Sequence, residues 1–342
     1  MVKTAIVILN WNGLEYLKKF LPGMIVNSAS QYFSVYVADN GSTDGSISWI
    51  KENHQAVSIL KLEKNFGFAG GYDLALSGVE AQYYILVNSD VEVTAGWAET
   101  LTAFMDNNPE AAACQPKILS WHNRGNFEYA GAAGGYLDRY GFPFCRGRIF
   151  NNPEKDKAQY NSVKKVFWTS GACMIVRAEA WKRCGGFDPD FFAHMEEIDL
   201  CWRFHLSGYT LYQIPEVTVF HVGGGSLPYD SPFKVYLNFR NNLFMLYKNL
   251  PQRGLFITMF IRMVLDGVAA FTFLLQGKPK GLASVWKAHI DFYRNLKQLR
   301  IKRKAVERPF PANPGKYILN KSVVFEFYIK GKKTFDRLNT NF

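Results

Sequence analysis

Apolar residues along this chain gather into short unbroken runs, and the stretches between them carry helical spacing. Residues 4–9, Thr-Ala-Ile-Val-Ile-Leu, form the first run. A run without polar alternation suits a strand buried on both faces. Asn10-Trp11-Asn12-Gly13 breaks it, and residues 14–29 predict a helix. Residues 35–38 predict a second strand, 44–53 a helix with Asp44 or Ser46 as N-cap, and 57–62 a third strand. A glycine-rich loop, Asn65-Phe66-Gly67-Phe68-Ala69-Gly70-Gly71, precedes a helix over 72–80 and a strand over 83–87. Strands alternating with helices predict an α/β fold with a doubly wound, mostly parallel sheet.

Beyond Asp90 the rhythm changes. Residues 97–107 predict a helix and 111–118 a strand. Residues 121–160 are rich in Gly, Asn, Pro and aromatics, and predict an irregular, substrate-facing excursion. Strand character returns over 165–177, and a short helix over 178–184 is stopped by Gly185-Gly186. Residues 195–207 have helical spacing closed by Gly208; 211–214 and 217–221 predict strands, and 236–249 a helix. Residues 255–275 are long and apolar enough for a membrane span, yet contain Arg262 and Asp266. These two sit four residues apart, where they can pair on one helical face. Crossing a membrane, lying in its interface and packing on the protein body remain open. The stretch that follows mixes Trp286, Phe292, Tyr293 and Leu296 with many basic residues, a pattern of interfacial amphipathic helices.

Charge sharpens this picture. Of the net +11, residues 276–342 carry 16 Lys/Arg against 4 Asp/Glu, so the preceding 275 residues are close to neutral. A near-neutral body with a basic tail suits an anionic membrane surface better than nucleic acid. Aromatic residues make up 16% of the chain, enough to serve sugar stacking or a membrane interface as well as a core. Five cysteines without a C-x-x-C pair predict buried free thiols in a reducing compartment. A core strand opening at Thr4 leaves no room for a leader peptide, so the expected location is cytoplasmic.

Two of the apolar runs end in acid-rich polar loops. The second strand ends in Asp39-Asn40-Gly41-Ser42-Thr43-Asp44, and the fourth in Asn88-Ser89-Asp90. Carboxylates at strand ends are where α/β proteins hold nucleotides and the metals beside their phosphates. Asp39 can accept the imide N–H of uracil or thymine, or a ribose hydroxyl; the alternative is an Asx turn. Asn88, Ser89 and Asp90 offer oxygen ligands to Mg²⁺ or Mn²⁺; the alternative is a helix-capping turn. His221 ends an apolar run before Gly223-Gly224-Gly225-Ser226, and its imidazole suits Mn²⁺. Glu196-Glu197-Ile198-Asp199 follows the apolar approach Phe191-Phe192-Ala193-His194-Met195. Crowded carboxylates beside apolar walls have raised pKa values and act as general bases. Pairing of Asp199 with Arg203 at i,i+4 leaves Glu196 or Glu197 for catalysis.

These motifs, with Thr169-Ser170-Gly171-Ala172 and Gly185-Gly186-Phe187-Asp188, occur in the order found in family 2 glycosyltransferases. Over residues 3–250 the chain resembles the bacterial, rhamnosyltransferase-like branch. The resemblance implies a GT-A fold over 1–250, with 251–342 as a helical, basic, membrane-associating extension. It implies inverting transfer from a UDP- or dTDP-linked sugar to a hydroxyl of a lipid-linked or cell-surface polysaccharide precursor. Asp39 would read the base, with Asn10, Ser42, Asn65, Gly70, Gly71, Ser89 and Arg240 around the donor. Asp90, Asn88 and His221 would hold the metal, and Glu197, or its neighbour Glu196, would be the base. Glu197 stands where the family more often has Asp, and Asn88 where it often has an acid. The expected place is the cytoplasmic leaflet of the cell membrane.

Two other readings fit parts of the chain. A sugar-phosphate nucleotidyltransferase would carry a G-x-G-T-R-like loop after the first strand, which Asn10-Trp11-Asn12-Gly13 does not supply. A non-catalytic membrane or nucleic-acid binder would use the basic tail, but leaves the acidic loops without a purpose. Removal of residues 276–342 is expected to spare nucleotide binding in an enzyme and to abolish the activity of a binder.

Overall fold

The computed structural model describes residues 2–223, 231–308 and 314–340. The first strands, β1 (Val2–Asn10), β2 (Phe33–Asp39), β3 (Ser58–Lys61) and β4 (Ala81–Asn88), alternate with α1 (Leu14–Val26), α2 (Ser46–Asn53) and α3 (Gly67–Ser77). They pair in parallel in the order β3-β2-β1-β4. Next come β5 (Val91–Val93), α4 (Trp97–Asn107), β6 (Ala111–Ser120), β7 (Gly135–Asp138), β8 (Pro143–Cys145), β9 (Arg148–Ile149) and β10 (Asn152–Pro153). Then follow β11 (Lys164–Lys165), β12 (Cys173–Arg177), α5 (Ala178–Arg183), α6 (Glu196–Leu206), β13 (Thr210–His221) and α7 (Pro232–Asn249). The chain finishes with α8 (Leu255–Leu275), α9 (Pro279–Arg294), α10 (Leu296–Ala305), β14 (Ile318–Leu319) and α11 (Val323–Tyr328).

The large sheet continues from β4 through β12, β6 and β13 to β11, with β5 on the end of β13. β12 runs antiparallel to both neighbours, so the sheet is parallel in its N-terminal half and mixed beyond it. Both faces are covered, which is why the strands read as continuous apolar runs. Ile6, Ile8, Ile85 and Val87 pack against Leu17, Phe20, Trp97 and Leu101 of α1 and α4 on one face. Ala5, Val7, Tyr84 and Leu86 pack against Tyr72, Trp181, Trp202 and Phe204 of α3, α5 and α6 on the other. Each of the larger aliphatic side chains among them contributes about 1.5–3 kcal/mol when taken out of water. All five cysteines are free, four of them buried.

Several elements differ from their sequence expectation. The glycine-rich stretch is not a loop: α3 begins at Gly67, and residues 67–71 are its opening turns. Close packing demands the glycines. A Cβ on Gly71 would lie 2.9 Å from both Leu9 Cδ1 and Asn40 Nδ2, and one on Gly67 would lie 2.4 Å from the Phe192 carbonyl. The two strands expected near residue 215 are one, β13, with an irregularity between Ile214 and Thr218. Residues 121–160 are more ordered than their composition suggests. β7, β8, β9 and β10 form an antiparallel ladder completed by β14 from the far end of the chain.

That last contact changes the meaning of the basic tail. The Phe335 ring packs against Tyr136, Phe144 and Tyr160, the Val323 amide donates to Asp138, and Lys302 pairs with Asp188 and Asp190. Removing residues 276–342 would therefore strip packing from the body, and does not separate an enzyme from a binder. Arg262 and Asp266 of α8 pair at 2.7 Å as their spacing suggested, facing inward, where Asp266 also meets His289 of α9. The outward face of α8 is left apolar: Phe256, Ile257, Phe260, Val264, Val268, Phe271 and Leu275 are all exposed.

Candidate active site

The cleft opens at the C-terminal ends of β1, β2 and β4, where a parallel sheet presents its loops to ligands. It encloses about 840 Å³ and runs from Asn40, Asn65 and Gly67 past Ser89 and Asp90 to Glu196 and Glu197. From there it reaches Arg262 and Phe273 on α8.

The β1 and β2 loops are stitched together. Asp39 accepts from Asn10 Nδ2 at 3.2 Å and from the Ser42 amide at 3.1 Å. Ser42 Oγ accepts from Asn10 Nδ2 and from the Asn12 amide. Asp44 accepts from the Leu14 amide at 2.8 Å and from Ser46, so it ties two loops instead of simply capping α2. Asn40 bridges to Asn65 and the Gly67 carbonyl. Asn40 and Asn65 line the cleft, whereas Asn10, Asp39 and Ser42 lie just behind its wall. A carboxylate has about four lone-pair sites, so Asp39 keeps acceptor capacity beyond these two bonds.

Gly70 and Gly71 were expected to touch the donor. They do not line the cleft; they are buried inside α3, where Gly71 lets the helix approach Leu9 of β1 and Gly70 packs against Phe66 and Pro189. Arg240 is also placed elsewhere. Its guanidinium donates to the Asp190 and Phe191 carbonyls at 2.8 and 3.1 Å and to Asn241 at 2.9 Å. It fastens the loop before α6.

The β4 and β13 ends meet at the cleft floor. Asp90 Oδ1 lies 3.2 Å from His221 Nε2, and Asp90 Oδ2 accepts from the Gly223 amide. Asn88 Nδ2 lies 3.4 Å from the same His221 nitrogen. On the other side of the ring, Nδ1 stands 3.1 Å from Glu128, a residue the sequence reading missed. Burial alone would lower the His221 pKa, but the two flanking carboxylates outweigh it and raise it to about 10. Asp90 and Glu128 feel burial in the opposite sense, and the imidazolium holds both below the usual carboxylate range. Gly224, Gly225 and Ser226, expected to approach a phosphate, lie outside the described residues.

A divalent ion would fit this donor set in place of the proton on His221 Nε2, because an imidazolium nitrogen has no lone pair to offer. Two ligands of an octahedral ion with bonds of about 2.1 Å stand about 3 Å apart, and Asp90 and His221 present their atoms at 3.2 Å. Carboxylate with neutral imidazole suits Mn²⁺, and Glu128, 3.1 Å behind Nδ1, would hold the ring toward the ion. Among the described residues no three His, Cys, Asp or Glu side chains converge on one point. An ion here would therefore draw most of its ligands from substrate phosphate and water.

Glu196 and Glu197 open α6 after Met195, whose φ is 73°. Both line the cleft, and each has one buried carboxyl oxygen with no hydrogen-bond partner. The helix N-terminus favours carboxylates, but desolvation wins. Burial raises the Glu197 pKa to about 7, against backbone hydrogen bonds that lower it. Burial and the Glu197 charge raise Glu196 well above its ordinary range. Asp199 is structural: it pairs with Arg203 at 2.9 Å and Lys248 at 3.0 Å, away from the cleft.

Residues 5–183 match the glycosyl transferase family 2 profile, and the chain belongs to that family. It is similar, at 25% identity over 232 residues, to the N-acetylglucosaminyl-diphospho-decaprenol L-rhamnosyltransferase of Mycobacterium tuberculosis. That match covers 63% of this chain and 75% of the relative. Among solved structures, S. aureus TarS 1-349 in complex with UDP-GlcNAc aligns over 88% of this chain and 84% of its own, with a TM-score of 0.57 and 16% identity. GalNAc-T7 with UDP, GalNAc and Mn²⁺ aligns over 72% of this chain and 48% of its own, with a TM-score of 0.55 and 14% identity. The fold is thus GT-A-like, and the protein is a family 2 glycosyltransferase with similarity to rhamnosyltransferases.

Proposed function

We propose that this enzyme transfers a sugar, with inversion, from a UDP- or dTDP-linked donor to a hydroxyl of a lipid-linked polysaccharide precursor. The observation that carries this reading is the partnerless Glu197 oxygen in the cleft that also holds Asp90 and His221. A carboxyl with its pKa near 7 is matched to general-base work at neutral pH. Glu197 takes the proton of the acceptor hydroxyl as that oxygen bonds to the anomeric carbon. The bond from that carbon to the diphosphate oxygen breaks, and its electron pair leaves with the nucleoside diphosphate. Attack opposite the leaving group inverts the anomeric centre.

Asn40, Asn65 and Ser89 face the donor, with Asp39, Asn10 and Ser42 shaping the base-reading turn behind them. Asp90 and His221 would hold Mn²⁺ or Mg²⁺, with Asn88 alongside. When bound, such an ion neutralises charge on the departing diphosphate. The lipid-linked acceptor is carried over from the mycobacterial relative, and α8 supports it. Its outward face is apolar, it is long and apolar enough to cross a membrane, and basic residues of α9 and α10 follow it. We infer that residues 251–342 set the enzyme against the inner leaflet of the cell membrane, with the cleft facing lipid-borne acceptors.

The test is turnover. Purified enzyme is given UDP- and dTDP-linked hexoses and deoxyhexoses, Mn²⁺ and N-acetylglucosaminyl-diphospho-lipid. Release of nucleoside diphosphate with a product of inverted anomeric configuration by NMR is the expected result. A retained configuration, or no release with any donor, would contradict it.

A further inference from the structure

The loop that delivers the two glutamates carries another polar atom that nothing on the protein satisfies. His194 Nε2 is buried and has no hydrogen-bond partner, and His194 lines the cleft. With Glu196 Oε2 and Glu197 Oε2, three such atoms fall within four residues of sequence. Buried polar groups are nearly always paired. Three together on a cleft wall mark groups that a ligand satisfies.

The backbone is held to present them. Phe192, His194 and Met195 have φ values of 62°, 70° and 73°, a region that residues with side chains rarely adopt. The clamp comes from α7. Asn241, fully buried, donates its side-chain amide to the Phe191, Ala193 and His194 carbonyls at 2.8, 2.9 and 2.7 Å. Arg240 adds its bonds to the Asp190 and Phe191 carbonyls. The Arg240-Asn241 pair thus serves the α6 wall from behind.

We propose that His194 Nε2 and Glu196 Oε2 form a hydroxyl-binding subsite for the acceptor sugar, gripping hydroxyls next to the one that Glu197 deprotonates. This rests on the transferase reading above. The chemistry matches a sugar. Burial, aided by the Lys234 charge, lowers the His194 pKa to about 4, so its ring is neutral and can accept or donate. Burial and the Glu197 charge push Glu196 toward its protonated form, which can donate. A hydroxyl both donates and accepts, so a neighbouring pair of them satisfies both atoms. Phe192 and Phe233, whose ring centroids are 5.9 Å apart, give the same wall an apolar surface for the sugar's carbon face.

The experiment is saturation-transfer NMR on enzyme loaded with UDP or dTDP and Mg²⁺. The probes are the methyl glycosides of glucose, galactose, rhamnose and N-acetylglucosamine. At least one glycoside is expected to bind wild-type enzyme. His194→Ala and Glu196→Ala should each weaken it about tenfold, the worth of one hydrogen bond, while His194→Gln keeps part of the affinity. Nucleotide affinity should be unchanged in all three variants, which also reports that they fold. The proposal is overturned if no glycoside binds wild-type enzyme that binds nucleotide. It is equally overturned if the variants leave glycoside binding intact, or weaken nucleotide as much as glycoside. Failure of wild-type enzyme to bind either nucleotide would instead overturn the transferase reading beneath it.

Discussion

At the residue scale the site is governed by burial set against neighbouring charge. Glu197 is pushed up to about 7 by burial, so transfer should rise with pH through about 7 as the base ionises. A pH–rate profile measures this; a flat profile between pH 5.5 and 8.5 would remove Glu197 as the base. The same shift has a consequence for stability. A carboxyl whose folded pKa is raised supports the fold fully below its unfolded value, and that support is lost as pH rises through about 7. Glu197→Gln should therefore lose about 10²–10⁴-fold in kcat, yet be more stable than wild type at pH 8 by about 3 kcal/mol. The gain should shrink as pH falls from about 7 and be gone below about 4.5, and denaturant titration at pH 8 and pH 4 checks it. Glu128 works through His221 and has a different signature. Glu128→Ala should weaken the Mn²⁺-dependent part of nucleotide binding by about 10–100-fold and leave metal-free binding alone, as read by calorimetry.

At the scale of elements, α6, α7 and α10 are tied by a buried ion network. Lys248 of α7 lies 2.6 Å from Asp188 and 3.0 Å from Asp199, and Lys302 of α10 reaches Asp188 as well. Burial would raise the Asp188 pKa, but the two lysines bring it down to about 2. Lys248→Ala leaves Asp199 to Arg203 and Asp188 to Lys302 alone, and should cost about 1–3 kcal/mol, measured by denaturant unfolding at pH 7. An unchanged midpoint would mean the network contributes nothing. The β1 and β4 strands were legible in sequence because burial on both faces forces unbroken apolar runs. Asp39 and Asp90 were legible because they stand where such runs stop. β7, β8, β9 and β10 were not, since each is only two to four residues long and their ladder is completed by β14, more than 150 residues away. Glu128 was hidden for a related reason. Its partner His221 is distant in sequence, and a lone acid among aromatics carries no local signal. Gly70 and Gly71 were placed on a loop because a tightly packed helix and a loop around a ligand call for the same residue.

At the scale of the whole molecule, charge and apolar surface are separated. The body binds small molecules in its cleft, while the outward face of α8 and the basic residues after it form a second surface. An amphipathic surface of this kind holds anionic membranes through apolar burial and charge together. Replacing Phe256 and Phe260 together by Glu should abolish flotation with anionic phospholipid vesicles and leave nucleotide affinity intact. Raised salt should weaken wild-type flotation without eliminating it. Undiminished flotation of the double variant would show that α8 is not the contact. The cleft reaches α8 at Arg262 and Phe273, so the cleft and the exposed apolar surface meet on one helix.

The central claim is a nucleotide site whose diphosphate end is built from Asp90 and His221. Calorimetric titration with UDP and with dTDP, each with and without Mn²⁺, tests it most directly beside an Asp90→Ala variant. The account predicts that one nucleotide binds, that Mn²⁺ strengthens the binding, and that Asp90→Ala removes the Mn²⁺ enhancement. Binding indifferent to both Mn²⁺ and Asp90, or no binding of either nucleotide by folded protein, would contradict it.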